Sequence, residues 1–329
     1  MTHADRSDAG ARIHQLTLWA PPPLDIRMAD YDVPVVNTSG GKDSAAIAVE
    51  VARRAREEGV LDRVVAVHAD LGVMEWPGTR ELAERQARHL GITRFEVVRR
   101  SKDDQFEDLL GYALRHGKWP GPTTRWCTSD LKRNPTEKLI RRLSSEVLAR
   151  EPGRTTPVRV LNCLGMRAQE SARRAKQPPL SIDTRLSCGT REVTRWLPVH
   201  DWTTEQVFAA GDTAGVERHV AYSKGQSRAS CVLCILLKRD ELVRAAQANP
   251  LLAQCYAVVE KAIGHQFRLN APMADILAEA GVPELPADTP LEPRQWAHLI
   301  EHADPQRMSQ WPQPAQRWAD VVAFLTPAA

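Results

Sequence analysis

An α/β fold, in which helices flank a parallel sheet and a helical extension follows at the C-terminus, is predicted by three features of the 329 residues. Apolar runs at 33–36, 64–67 and 158–161 have strand length. Helical patterns lie between them, and this alternation is the mark of strand-helix-strand units with parallel strands. The third feature is a glycine-bearing stretch, Ser39-Gly40-Gly41-Lys42-Asp43-Ser44, set between the first apolar run and the first helical pattern.

That stretch has the chemistry of a phosphate-binding loop. Adjacent glycines allow a tight turn that brings backbone N–H groups against a polyphosphate, and the following helix offers its unpaired donors and positive dipole end. Lys42 adds a charge, Ser39 and Ser44 add hydroxyl donors, and Asp43 is suited to orient a magnesium ion carried by a nucleotide. Ile47, Val51 and Ala55 recur every four residues and Gly59 supplies the stop, which predicts the helix.

The next elements follow in chain order. After the run at 64–67 comes His68-Ala69-Asp70-Leu71-Gly72-Val73-Met74-Glu75-Trp76-Pro77-Gly78-Thr79, and ligands of open α/β sheets bind at such strand ends, which makes Asp70 and Gly72 pocket candidates. Asn134 as cap, Pro135 at the first helical position and Glu137 three residues after the cap predict a helix start, with Leu139, Ile140, Leu143 and Val147 as its buried stripe. Behind the run at 158–161, Arg167 and Arg173 are suited to grip an anion, with Glu170 fixing one guanidinium. Thr203 and Gln206 predict a capping box with Trp202 as its staple. Helical patterns at 239–263 and 271–280 form the extension.

The loop SGGKDS resembles the PP-loop of the ATP pyrophosphatase superfamily, and not the GxxxxGK[ST] loop of kinases and GTPases. Within that superfamily the chain is similar to the phosphoadenosine phosphosulfate reductase branch, which holds sulfonucleotide reductases and the sulfur-transfer component of DNA phosphorothioation systems. The resemblance is carried by the D-x-G-x-x-x-P-x-T element from Asp70, by Cys127 followed by Lys132, and by G-x-R-x-x-E-S-x-x-R from Gly165. It continues in W-x-P-x-x-x-W-T from Trp196 and in the segment with Arg228 that ends in the C-x-x-C of Cys231 and Cys234. It covers residues 32–236 and implies a Rossmann-like, HUP-type sheet. It also implies ATP with Mg2+ bound by Ser39, Gly40, Gly41, Lys42, Asp43, Ser44, Asp70, Gly72, Lys132, Arg167, Glu170, Arg173 and Arg228, with Lys42, Asp43 and Arg167 acting in catalysis. A 4Fe-4S cluster is implied on Cys127, Cys231 and Cys234, although a lone C-x-x-C also fits zinc or a redox pair.

Two departures from the branch are informative. Trp126 stands where cluster-bearing reductases have a second adjacent Cys, so a fourth ligand is either Cys188, in a polar stretch, or absent, leaving one iron open to hold sulfide. Cys163 and Cys255 read as buried apolar side chains. No Cys follows Cys255, whereas sulfonucleotide reductases carry a nucleophilic Cys near the end. Together with the PP-loop, this points to an adenylating sulfur transferase. Its alternatives are a reductase of adenylyl sulfates and a non-catalytic nucleotide-binding subunit.

Expected partners are a sulfur donor such as a cysteine desulfurase and an acceptor that includes DNA or RNA as candidates, in a homodimer or a modification complex. Lys132, Arg133, Lys138, Arg141 and Arg142 form one basic cluster, and Arg167, Arg173, Arg174 and Lys176 another. Either they track a nucleic-acid backbone or they are solvated and grip the nucleotide's own phosphates. Net charge is only +3, so composition alone does not separate the two. No apolar run reaches the roughly 20 residues of a membrane span and residues 1–30 lack a signal-peptide core, which predicts a cytoplasmic protein. The domain plan read from the sequence is an extension at 1–30, the nucleotide domain at 31–236 and a helical extension at 237–329.

Overall fold

The computed structural model describes residues 26–102 and 105–285. The expected N-terminal extension up to residue 25 and the Trp-bearing tail from 286 lie outside the described residues. The chain divides into two compact units. One gathers the residues up to His68 with Gly78–Val97 and Glu137–His219, and the other gathers Ala69–Pro77, Val98–Thr136 and the residues from Val220 on.

The first unit is built on the sheet. Its strands are β1 (Val33–Thr38), β2 (Val65–Ala69), β3 (Arg94–Val98), β6 (Val158–Cys163), β7 (Leu180–Ile182) and β8 (Arg191–Trp196), in the order β3-β2-β1-β6-β8-β7; β4 (Ser101–Lys102) and β5 (Gln105–Phe106) form a separate small hairpin. β1 runs parallel to β2 and β6, and β6 parallel to β8, with β7 antiparallel at the edge. Helix α1 (Lys42–Glu57) buries Ile47, Val51 and Ala55, the predicted stripe, and packs on β1 and on α5 (Thr204–Thr213). Helix α2 (Thr79–His89) buries Leu82, Ala83 and Ala87. The chain leaves β1 toward β2 on one side and comes back to β6 on the other, so the C-terminal ends of β1 and β6 flank a topological switch point. Crevices of this kind are where open α/β sheets bind ligands.

The capping box at Thr203 is formed: its hydroxyl accepts the Gln206 N–H at 3.3 Å and the Gln206 side chain accepts the Thr203 N–H at 2.7 Å. Thr203→Ala is expected to cost about 1 kcal/mol of stability, read as a lower denaturation midpoint.

The box expected at Asn134 is absent, which corrects the sequence reading. Helix α4 (Asn134–Arg150) is preceded by a helical turn (Trp126–Thr128) and a π turn (Ser129–Arg133), so Asn134 already has helical angles (φ −60°, ψ −42°). Its side chain donates to Asp130 instead, and Glu137 pairs with Arg185. The stripe Leu139, Ile140 and Leu143 is buried as expected, with Val147 half-buried.

The second unit is mainly helical. Helix α3 (Leu109–His116) packs on α7 (Pro250–Ile263), which lies with α6 (Arg239–Ala248) and α8 (Met273–Ala280). The single helix expected over 239–263 is two, because Pro250 lacks an N–H and starts a new helix at its first position. Its core carries an aromatic group in which Trp119 stacks on Tyr256 at 4.9 Å, and Phe267 meets both edge-on at 5.2 and 5.0 Å.

Candidate functional site

The first unit presents the phosphate loop at the end of β1. Gly40 takes φ +71°, a left-handed conformation that glycine adopts without strain, and a methyl group there would meet His219 Cδ2 at 3.1 Å. Gly41 then caps α1 in extended geometry, its carbonyl accepting both the Ala45 N–H at 2.9 Å and the Ser44 hydroxyl at 2.8 Å. Ser44 Oγ also accepts from the Ser39 N–H at 3.1 Å, so the two serines tie the loop across its mouth. The first turn of α1 places the positive end of the helix dipole at this loop, the kind of site that favours an anion.

Lys42 and Asp43 share a local charge network. Lys42 Nζ lies 3.1 Å from Asp43 Oδ2 and 5.9 Å from the Phe208 ring centre. Arg167, brought round from the end of β6, donates from Nε to Asp43 Oδ1 at 2.5 Å. The guanidinium is buried and donates further to Gln169 Oε1 at 2.8 Å, the Trp202 carbonyl at 3.1 Å and Thr204 Oγ1 at 3.2 Å. Arg167 therefore orients Asp43 as one fork of a fixed network, where the sequence suggested an anion grip. Gly165 is required for this approach, because a methyl group there would lie 3.2 Å from the backbone carbon and oxygen of Asp43.

Glu170 does not fix Arg167 or Arg173 by its side chain, contrary to the expectation. Its carboxylate accepts the Arg167 backbone N–H at 3.1 Å and pairs with Arg174, one turn away. Arg173 is exposed on the short helix Ala172–Ala175. In the basic cluster of α4, Arg142 binds Glu96 at 2.7 Å and Arg141 lies 3.8 Å from Glu137. These two cations are balanced within the fold, each an exposed guanidinium on a carboxylate that is largely covered.

The remaining candidates, apart from Cys188, lie in the second unit. Asp70 is buried and accepts the Gly72 N–H at 2.7 Å, forming an Asx turn around the left-handed Gly72 (φ +64°), and it takes the Arg99 guanidinium at 2.9 and 2.5 Å. Arg228 is half-buried. Cys127, Cys231 and Cys234 are electrostatic neighbours of one another and of Lys132, beside Glu75. Burial pushes the Cys127 thiol up, against the pull of Lys132, and raises Cys231 to about 12. Burial works against the Lys132 charge, but the field of Cys231, Glu75, Cys234 and Cys127 outweighs it and its pKa rises.

Among the described residues, no group of three or more His, Cys, Asp or Glu side chains is arranged to hold a metal ion. The residue types, three thiols, are ones that iron-sulfur clusters and zinc both use. These thiols share one neighbourhood with Lys132, and ligation would have to displace their protons, leaving thiolate charge beside that lysine. Cys188 lies in the first unit, exposed, with its thiol 3.5 Å from Thr190 Oγ1, which with Arg191 lowers its pKa. Cys163 and Cys255 are buried, as read from the sequence, and desolvation raises both thiols. No helix among the described residues is long and apolar enough to cross a membrane.

Sequence reasoning missed two residues behind the loop. Gln86 on α2 donates to the Gly40 carbonyl at 3.1 Å and to the Glu217 carbonyl at 2.7 Å, and His219 Nε2 lies 2.8 Å from Thr79 Oγ1. Neither belongs to a motif, and only the position of Gln86 on the buried stripe of α2, next to Ala87, gave a signal.

An uncharacterized 37.8 kDa protein in the gpa 5′ region of Escherichia phage 186 is 28% identical over 158 residues, 45% of this chain and 44% of that protein. The match thus spans under half of that relative. The crystal structure of phosphoadenylyl-sulfate (PAPS) reductase from Candida auris, a phosphate complex, has a TM-score of 0.41 and 14% identity, covering 70% of this chain and 98% of that one. The model of the phosphoadenosine phosphosulfate reductase domain matches residues 33–237, from the first residue of β1 to just past the C-x-x-C. Over that span, which is most of the described chain, the protein belongs to the phosphoadenosine phosphosulfate reductase domain family.

Proposed function

We propose that this protein is an ATP-dependent sulfur transferase that adenylylates an acceptor. The observation that carries the reading is the fully formed loop at the β1–β6 switch point, with Lys42 and Asp43 at the opening of α1 and Arg167 locked onto Asp43. An ATP polyphosphate would sit there at the N-terminal, positive end of α1, with Mg2+ arriving on the nucleotide and Asp43 fixed where it can orient that ion. An acceptor oxygen attacks the α phosphorus, the α–β bridging bond breaks, and pyrophosphate leaves. Lys42 and the backbone donors stabilise the charge that develops on it. Hydrosulfide, released when a dithiol reductant supplies two electrons to the persulfide of a donor such as a cysteine desulfurase, then displaces AMP, which departs with the acceptor's oxygen.

Cys127, Cys231 and Cys234 would hold the iron-sulfur group, which when bound supplies a site for sulfide. Lys132 balances the thiolate charge there. DNA or RNA is the acceptor class proposed, although the pairing of Arg141 and Arg142 reduces the cationic surface on α4. A second reading is favoured by the family match itself: reduction of an adenylyl sulfate by an external dithiol, which gives up two electrons and becomes a disulfide, with release of sulfite and the nucleotide monophosphate.

Anaerobically purified protein is expected to form AMP and pyrophosphate in equal amounts from ATP when acceptor and hydrosulfide are present. Iron and sulfide analysis checks the thiol assignment in the same sample. Sulfite release from 3′-phosphoadenylyl sulfate, with ATP left intact, would overturn the proposal in favour of the reductase.

A further inference from the structure

We propose that Gln86, backed by His219, presets the phosphate loop before any nucleotide arrives, acting as a positioning residue for the reaction. This rests on the reading of Ser39-Gly40-Gly41-Lys42-Asp43-Ser44 as a nucleotide loop.

The argument starts from peptide geometry. In a trans peptide the carbonyl of Gly40 and the N–H of Gly41 point in opposite directions. Gln86 is buried, and its Nε2 holds the Gly40 carbonyl at 3.1 Å, which turns the Gly41 N–H away from α2. The second proton of the same nitrogen goes to the Glu217 carbonyl at 2.7 Å. One amide thereby ties the loop to the segment that carries His219.

His219 completes the brace from behind. Its ring is buried, with Nε2 at 2.8 Å from Thr79 Oγ1 and Cδ2 close enough to Gly40 to leave no room for a side chain. Thr79 is the first residue of α2, the helix that carries Gln86. The groups around Gly40 thus come from Gln86, His219, Leu82 and Thr79, all from outside the loop. Burial keeps the imidazole neutral, with its pKa lowered to about 4. A loop held this way loses little freedom when a phosphate binds, and that saving appears as affinity.

The test uses Gln86→Met and Gln86→Leu, which keep most of the side chain's bulk while removing the donor, in the full chain with its folding checked by a cooperative melt. Amide hydrogen exchange is measured across residues 39–44 without nucleotide, and ATP and AMP affinities are measured in parallel. Faster exchange confined to the loop is expected in both variants. ATP should bind about tenfold more weakly, the equivalent of about 1.4 kcal/mol, while AMP, which lacks the β and γ phosphates, is unaffected. Equal weakening of ATP and AMP, or unchanged loop exchange in a folded variant, would overturn the assignment. If the wild-type protein does not bind ATP but its loop still loosens in the variants, the brace stands and the nucleotide reading falls.

Discussion

Replacing Arg167 with Met is expected to lower stability by about 3 kcal/mol and pyrophosphate release by about 100-fold. The stability loss follows from the network. Arg167 is buried, and its removal takes the donors from Asp43, Gln169, the Trp202 carbonyl and Thr204 at one stroke. The figure sits at the low end for a broken ion pair because the Asp43 side chain is 21% exposed and water can solvate it. The rate loss follows from Asp43, which would be left with Lys42 as its near charge and would swing toward it. Arg167→Lys is expected to rescue little, since an ammonium cannot serve four partners arranged around a planar fork. Urea denaturation and a pyrophosphate assay check both effects. Asp43→Asn combined with Arg167→Met should destabilise by less than the sum of the single changes, because the two residues are in contact. Additive losses would mean that Arg167 acts through Trp202 and Thr204 rather than through Asp43.

What the sequence revealed and what it concealed divide along a physical line. The loop, the α1 stripe, the capping box at Thr203 and the burial of Cys163 and Cys255 are local patterns, and each is present. The false cap at Asn134 was also a local reading, and it failed because residues 126–133 wind into helical turns that extend α4 backward. Arg167 shows the other limit. Its partner Asp43 is 124 positions away in sequence, and the return of the chain from β2 to β6 is what joins them. A motif signalled that Arg167 matters, yet its role as the holder of Asp43 is a tertiary fact. Gln86 and His219 carried no motif at all, since a buried amide and a buried imidazole look ordinary until the carbonyl and hydroxyl they serve are in view.

His219 makes a second large effect testable through pH. Its pKa in the folded protein is lowered by burial to about 4, against an ordinary value of 6.5. The unfolded chain therefore binds a proton that the native state refuses as pH falls below 6.5, and stability drops with it. The sign is that of a depressed histidine: the contribution is intact above pH 6.5 and is lost progressively toward pH 4. Linkage puts the loss at about 2–3 kcal/mol by pH 4.5. Glu96 and Glu107, whose pKa values are lowered despite burial by Arg142 and Arg94 and by Arg115 and Arg100, lose their contributions only below about pH 4.5. The interval from 6.5 to 4.5 thus precedes theirs. Urea midpoints of wild type and His219→Gln across that interval should converge as the pH falls, because the variant has no imidazole to protonate. Parallel curves would show that the imidazole takes up its proton without cost, and that the brace behind Gly40 is looser than its contacts imply.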